Sequence, residues 1–411
     1  MQPKQSGAAS FQKILDRRLQ LEYKYCMKIV NADAYLLKIP FKMSFSHSKA
    51  DRFFCDSVIL ELTALDDDGM PVRGWGEAVI REYVGGRMEG GRTALSATFG
   101  RLLNFAGLEL DRNELLDAVR FSEASEAELP LLCAAETAVL DLLCKASGCD
   151  IYGLLERAPV RSSLTYGGTL PILPLRAAEK LLGAYAKLGI GNLRLKLSAN
   201  FEQNRDTVAL ARKILGEKYD LKVDANAGWT LADAEKNIPM LRSAGISIIE
   251  EPFGREEAGK SSITELKRDS LADGMLFMAD ESALTAADIR RAAEEKSFDM
   301  FNLRLAKSGG LLKTLGMAEQ ADELGLGYMA GCHVGETGIL SAAGRAAASL
   351  MSRLLYCDGS YDEHLLKDNI TTENLSFGPG GRASVIRNTG LGYEIDESKL
   401  KEYSDEQFNI L

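Results

Sequence analysis

Several features are scarce or missing in this chain. No apolar run approaches the roughly 20 residues that a membrane-spanning helix needs, so a membrane protein is not expected. No basic stripe is present. The chain carries 49 Lys and Arg against 59 Asp and Glu, a net charge of −10 with the two signs interspersed. Nothing therefore offsets the phosphate charge of a nucleic acid, and no such partner is expected. No CxxC pair occurs, and the seven cysteines are odd in number and scattered. That suits reduced thiols in a cytoplasm better than a disulfide scaffold or a zinc site. Most of them, Cys332 included, read as small core residues. The first 23 residues are polar and charged. They contain no apolar h-region, so no secretory signal is expected. Within them, FQKILDRRLQLEYKY reads either as a short amphipathic helix or as a disordered extension, and residues 1–25 are set apart on that ground.

What is present is a chain of 411 residues with 46% hydrophobic content, enough for a packed core and for two domains. From about Cys26 to Glu82 the text reads as strands: DAYLLKIPF, DSVILELTAL and GWGEAVI, with DDDG as a turn. From about Arg92 to Gly148 it reads as helix. LPLLCAAETAVLDLLCKASG places Leu131, Ala135, Val139 and Leu142 on one face, and Gly148 closes the helix. Strands followed by helices predict an α+β domain over 26–155. After about Ser162 the rhythm changes. LRLKL, DLKVDAN, ISIIEEP, MLFMADE, FDMFNLRL, LGYMAG and RLLYCD alternate with helical stretches, and SLTYGGTL (163–170) makes an eighth strand. The class is α/β, and eight units predict a closed β/α barrel over 160–360. An open doubly wound sheet fits less well, because no glycine-rich phosphate loop follows an early strand. Residues 361–411 lose the alternation and are expected to return to the first domain.

Polar residues stand where the barrel strands end. Lys196, Asp224, Glu250, Asp280 and Arg304 follow one another at intervals of about 24 to 30 residues, one βα unit each, and should share one rim. Three carboxylates in register repel one another, and burying them without countercharge is prohibitive. A hard divalent cation solves both problems, and all-oxygen donors favour Mg²⁺ over zinc or copper. The alternative is that each acid caps the following helix or pairs with a base. Arg194 and Lys196 lie two apart on one strand and share a face. A fixed cation beside a lysine favours the neutral amine that a general base needs; the alternative is a solvated strand face. The tetrapeptide NLRL recurs at 302–305, where Arg304 stands without a lysine two residues on.

In this order and spacing, RLKLS, VDAN, IIEEP, MADES and LRLAKSGG resemble the enolase superfamily, in particular its muconate-lactonizing-enzyme subgroup within the mandelate racemase/muconate lactonizing enzyme family. GWGEA and AAETAVLDLLCKASG resemble that family's N-terminal cap, and the match spans roughly residues 30 to 395. The resemblance implies an α+β capping domain on a modified (β/α)₇β barrel. It implies Mg²⁺ held by Asp224, Glu250 and Asp280, and abstraction of a proton α to a carboxylate through an enediolate. It also implies that Arg304 occupies the place of a second catalytic lysine and Arg194 that of the first lysine of a KxK motif. Arginine stays protonated, so it binds or stabilises charge but is a poor base.

One competent base points first to a cycloisomerase of the muconate-lactonizing type. Next comes a syn-dehydratase, like succinylbenzoate synthase or the sugar-acid dehydratases, and then a racemase or epimerase. Outside this class stand a Schiff-base aldolase and a non-catalytic ligand-binding barrel. In GCHVGETG, His333 reads as a hydrogen-bonding or structural residue, with the second-base role of mandelate-racemase-like proteins as the alternative. Glu336 reads as a group that bonds the substrate carboxylate or acts as an acid, or else as a helix start. Lys307 lies off the inward parity, in a turn. Asn226 of VDAN, with Phe41, Phe45 and Ser46 of the cap loop IPFKMSFSHSKADR, reads as substrate-binding; an ordinary strand connection is the alternative for the loop. The expected partner is a small carboxylate, and the family's habit admits a homo-oligomer.

Overall fold

The computed structural model describes residues 26–411 apart from 48, 49, 67, 85, 87–89 and 269. The segment FQKILDRRLQLEYKY lies outside the described residues. The first layer is a sheet. β1 (Cys26–Leu37) leads into a hairpin of β2 (Ile39–His47) and β3 (Ala50–Cys55). β4 (Val58–Leu65) and β5 (Pro71–Ala78) then complete an antiparallel meander with β1, and the short β6 (Glu109–Asp111) joins β1. The helix Leu129–Ala146 packs on β4 and β5. Its residues are buried from Leu129 to Cys144, on every side rather than on the single face that the periodicity predicts. The reason is its position, with the sheet on one side and barrel helices on the other. Contact with the sheet is flush because β5 is GWG. A Cβ on Gly76 would sit 1.9 Å from the Ala134 carbonyl oxygen.

The barrel segment SLTYGGTL is two strands, not one. β7 (Ser163–Thr165) turns away to pair antiparallel with Arg382–Ser384, and only β8 (Gly168–Leu170) enters the barrel. Parallel to it in sequence order follow β9 (Asn192–Lys196), β10 (Asp220–Asp224), β11 (Ile248–Glu250), β12 (Leu276–Ala279), β13 (Met300–Leu303), β14 (Gly327–Ala330) and β15 (Tyr356–Cys357). Each of the seven gaps between them holds a helix. The ring meets itself where the Gly167 N–H donates to the Cys357 carbonyl at 2.8 Å. Ile248, Met278, Met300 and Met329, from four adjacent strands, fill a separate small core, so the lumen is packed rather than open. β16 (Arg382–Ser384) is the partner of β7, and β17 (Ser404–Asn409) returns to pair antiparallel with β1. Among the described residues, no helix is long and apolar enough to cross a membrane.

Two buried glutamates of the first domain dock on the barrel. Helix N-termini leave backbone N–H groups without intrahelical partners. Glu136 accepts from the N–H groups of Leu311 and of Leu312 (3.1 Å), at the start of the helix Leu311–Leu324. Glu77 accepts from Thr337 N–H at 2.9 Å, Thr337 Oγ1 at 2.8 Å and Leu340 N–H at 3.2 Å, at the start of the helix Gly338–Leu350. Gly310 has φ +120°, and a Cβ there would lie 2.1 Å from Glu136 Oε2. Only glycine lets the carboxylate reach the helix end.

Removing Glu136 as Glu136→Ala strands two N–H groups and should destabilise the protein by about 2–4 kcal/mol, read as a shift in denaturant midpoint. Burial, opposed by those N–H groups, pushes the Glu136 carboxyl up to about 8. Its folded value lies above its unfolded one of about 4.3. Its contribution is therefore present below the unfolded value and is lost as pH rises through about 8. Calorimetric Tm should fall between about pH 5 and pH 9, and Glu136→Gln should flatten that fall. An unchanged slope in the variant would contradict the assignment.

Candidate active site

The register brings the strand ends together. Asp224 pairs with Lys196 across β10 and β9, and with Glu250 across β10 and β11. Asp280 and Arg304 each stand one residue past β12 and β13. Immediately beyond the strands the backbone turns left-handed without glycine, at Asn226 (φ 46°), Ala227 (φ 56°) and Glu251 (φ 38°). Such conformations persist only where surrounding bonds hold them. Here Asn226 N–H donates to Asp224 Oδ1 at 2.8 Å, Ala227 N–H to the Glu251 carbonyl at 2.7 Å, and Glu251 N–H to the Met278 carbonyl at 2.8 Å.

Asp224, Glu250 and Asp280 are fully buried. Arg194 Nη1 lies 2.8 Å from both Glu250 oxygens and 3.8 Å from Asp224 Oδ2. Lys196 Nζ donates to Asp224 Oδ2 at 2.8 Å and to Asn226 Oδ1 at 2.7 Å. Arg304 bonds Asp280 and reaches Glu250 Oε1 at 3.5 Å. Asn302 Nδ2 donates to the same Glu250 oxygen at 2.7 Å. Burial alone would raise the Asp224 and Asp280 carboxyls. Lys196 and Arg194 more than offset it at Asp224, as do Arg304 and Lys307 at Asp280, so both lie below the usual carboxylate range. At Glu250 burial wins over Arg194, and the carboxyl is raised. Burial also opposes the charge of Arg304, but Asp280 outweighs it and holds the guanidinium protonated.

Several participants were not visible as site residues in the sequence. Lys307, read as a turn residue off the inward parity, is buried and bonds the Asp280 carbonyl, the Ala283 carbonyl at 2.9 Å and Asp280 Oδ1 at 3.0 Å. The chain has left the strand by then, and the helical turn Leu305–Ser308 swings the ammonium back under the rim. Asp358, just past β15, meets Arg194 Nη2 at 3.2 Å and Lys222 Nζ at 3.8 Å. It ends LLYCD as Asp224 ends LKVD, so the same signal was there to find. Burial pushes Glu251 up to about 7; it accepts from Asp280 N–H at 2.7 Å and from Ser282.

Arg194, Lys196, Asn226, Arg304, His333 and Glu336 all line one cavity of about 280 Å³. Burial, helped by Arg304 and Arg81, pushes the His333 imidazole far below its ordinary value, so it is neutral. Among the described residues neither ring nitrogen has a hydrogen-bond partner, so the hydrogen-bonding reading finds no protein group there. Burial pushes the Glu336 carboxyl up to about 8; its Oε1 accepts from His333 N–H at 2.6 Å. Thr337, not Glu336, caps the next helix. Cys332 lines the cavity with its thiol held protonated by burial. Phe41 is buried beside Gly335 and is not on the cavity wall, where β2 contributes Met43. The side chains of Phe45 and Ser46 lie outside the described residues.

The fit of a hard cation rests on the donor set. Asp224, Glu250 and Asp280 offer only oxygens, a hard donor set that suits Mg²⁺ chemically. Among the described residues, no three His, Cys, Asp or Glu side chains are arranged to hold an ion, because these carboxylates are turned onto arginine and lysine.

Residues 176–399 match the family described as enolase C-terminal domain-like. A hydrophobic dipeptide epimerase of Enterococcus faecalis is 27% identical over 78% of this chain and 88% of its own length. A chloromuconate cycloisomerase of Cupriavidus necator is 26% identical over 70% of this chain and 78% of its own. The crystal structure of a dipeptide epimerase from Cytophaga hutchinsonii, complexed with Mg and the dipeptide D-Ala-L-Val, superposes with a TM-score of 0.80 at 20% identity. It covers 93% of this chain and 100% of that one.

Stripping the buried ammonium as Lys307→Met leaves Asp280 short of a cation and should cost about 3–5 kcal/mol. Adding Asp280→Asn should cost less than the sum of the single changes; strict additivity in denaturation midpoints would show that the two do not interact.

Proposed function

We propose, from the premise that the chain belongs to the enolase C-terminal domain-like family, that this enzyme removes the proton α to the carboxylate of a small-molecule substrate, with Lys196 as the base. The observation that carries the reading is the position of Lys196. Its amine is buried on the cavity wall, aimed by Asp224 and Asn226, and its cationic neighbours there are two arginines that cannot accept a proton. Arg194 and Arg304 present planar donors that can bind a substrate carboxylate. Asp224, Glu250 and Asp280 would hold Mg²⁺, which supplies positive charge for the carboxylate oxygens as the α-proton leaves. Glu336 keeps its proton at neutral pH and so offers the ligand a hydrogen bond or a proton from a second direction.

A single base on one face favours cycloisomerisation, and after it a syn elimination of water. Epimerisation comes after these, and one observation favours it: the neutral His333, without a hydrogen-bond partner among the described residues, faces the same cavity as Lys196. A Schiff-base mechanism gains nothing from the three buried acids.

Proton NMR in D₂O with Mg²⁺ and a panel of carboxylates should show α-proton exchange with retained configuration. Lys196→Met should lower its rate by about 10²–10⁴-fold, and chelation should abolish it until Mg²⁺ is restored. Exchange with inversion that disappears in His333→Asn would move the assignment to epimerisation. Exchange that survives Lys196→Met would remove Lys196 as the base.

A further inference from the structure

The cavity wall is charged in one part only. Among the described residues that line it, the Asp, Glu, Lys and Arg side chains are Arg194, Lys196, Arg304 and Glu336, with His333 and His364 as the two imidazoles. Elsewhere the wall is built from Leu181 and Leu188 of the helix Leu175–Leu188, with Tyr185, Tyr361 and Phe377. Several polar atoms in this region are already engaged, while Thr169 Oγ1 has no hydrogen-bond partner among the described residues. The Tyr185 hydroxyl donates to the Thr169 carbonyl at 2.8 Å, the Tyr361 hydroxyl donates to the Gly167 carbonyl at 2.6 Å, and His364 Nε2 pairs with the Phe377 carbonyl at 3.0 Å. Apart from the Thr169 hydroxyl and the His364 imidazole, what faces the space is ring and methyl. Tyr361 meets Phe377 edge-on, with centroids 5.6 Å apart, so the rings are fixed by one another.

We infer that the substrate presents one carboxylate to the cations and ends, beyond its reacting carbons, in an uncharged apolar group, an aryl or branched alkyl group lying against Leu181, Leu188, Tyr185, Tyr361 and Phe377; this rests on the carboxylate-directed chemistry proposed above. A second carboxylate or an ammonium in that region would lose its hydration and gain no Asp, Glu, Lys or Arg to pair with there. An apolar group exchanges water for close contact with no such loss.

Titration calorimetry on the full chain with Mg²⁺ tests this with three ligands of similar length: 4-phenylbutanoate, the dicarboxylate adipate and the zwitterion L-alanyl-L-phenylalanine. The aryl acid should bind at least about 10-fold tighter than either of the others. Equal or tighter binding of adipate or of the dipeptide, or no binding of the aryl acid, overturns the inference. Leu181 is half-buried, so Leu181→Arg can place a guanidinium on the apolar wall. It should move the ratio about 10-fold toward adipate. A folded variant of unchanged Tm with an unchanged ratio overturns the inference too. Proton exchange on the same ligands separates the two readings. Tight aryl binding without exchange sinks the chemistry and keeps the substrate class. Exchange confined to adipate does the reverse.

Discussion

Three carboxylates with no solvent exposure stand on neighbouring strands, and such a cluster folds only if the protein supplies countercharge. Four cations meet that demand: Arg194 and Lys196 from one strand, and Arg304 and Lys307 from the turn after another. Because each cation reaches acids on other strands, the compensation is also a set of struts. Arg194 ties β9 to β10, β11 and the end of β15, and Arg304 ties the end of β13 to β11 and the end of β12. The shape of the rim and the balance of its charges are one problem with one solution.

The junction with the first domain uses the same physics with helix N-termini in place of side-chain cations. There the buried groups are the Glu77 and Glu136 carboxyls, and their hydrogen bonds come from helix N-termini of the barrel. Arg81 adds a further strut, donating to the Val334 carbonyl at 2.7 Å while paired with Asp56. The segment from Cys332 to Thr337 is thereby held from the first domain. His333 and Glu336 project from that segment into the cavity, which Met43 and Tyr83 of the first domain also line. A site shared between two units needs such a rigid seam, since a small displacement of one wall alters the geometry offered to a ligand.

Family membership and cavity constrain different things. Membership speaks to the class of chemistry, which depends on groups at strand ends. The cavity wall speaks to what is bound, and it is built from a barrel helix, the segment after β15 and the first domain. The two permanent guanidinium ions belong to both accounts. They neutralise the acids, and they share the cavity wall with the Lys196 amine.

Much of this was legible in the sequence. The βα rhythm, the recurring acids at strand ends and the parity of Arg194 and Lys196 are local properties, because residues two apart on a strand share a face and one βα unit has a nearly constant length. Asp358 carried the same local signal. Other features had no local signature. Lys307 follows no strand parity, since a single helical turn redirects it. His333 gives no hint in GCHVGETG that both its nitrogens are left without partners among the described residues. The division of SLTYGGTL into two strands depends on a partner more than two hundred residues away. Sequence alone determined which chemical groups the barrel rim would carry and in what order, because periodicity is a property of neighbouring residues. Tertiary structure decided which charges neutralise one another, how the first domain is fastened and what part of the cavity stays apolar, because burial and pairing arise only when distant segments share the same dry space.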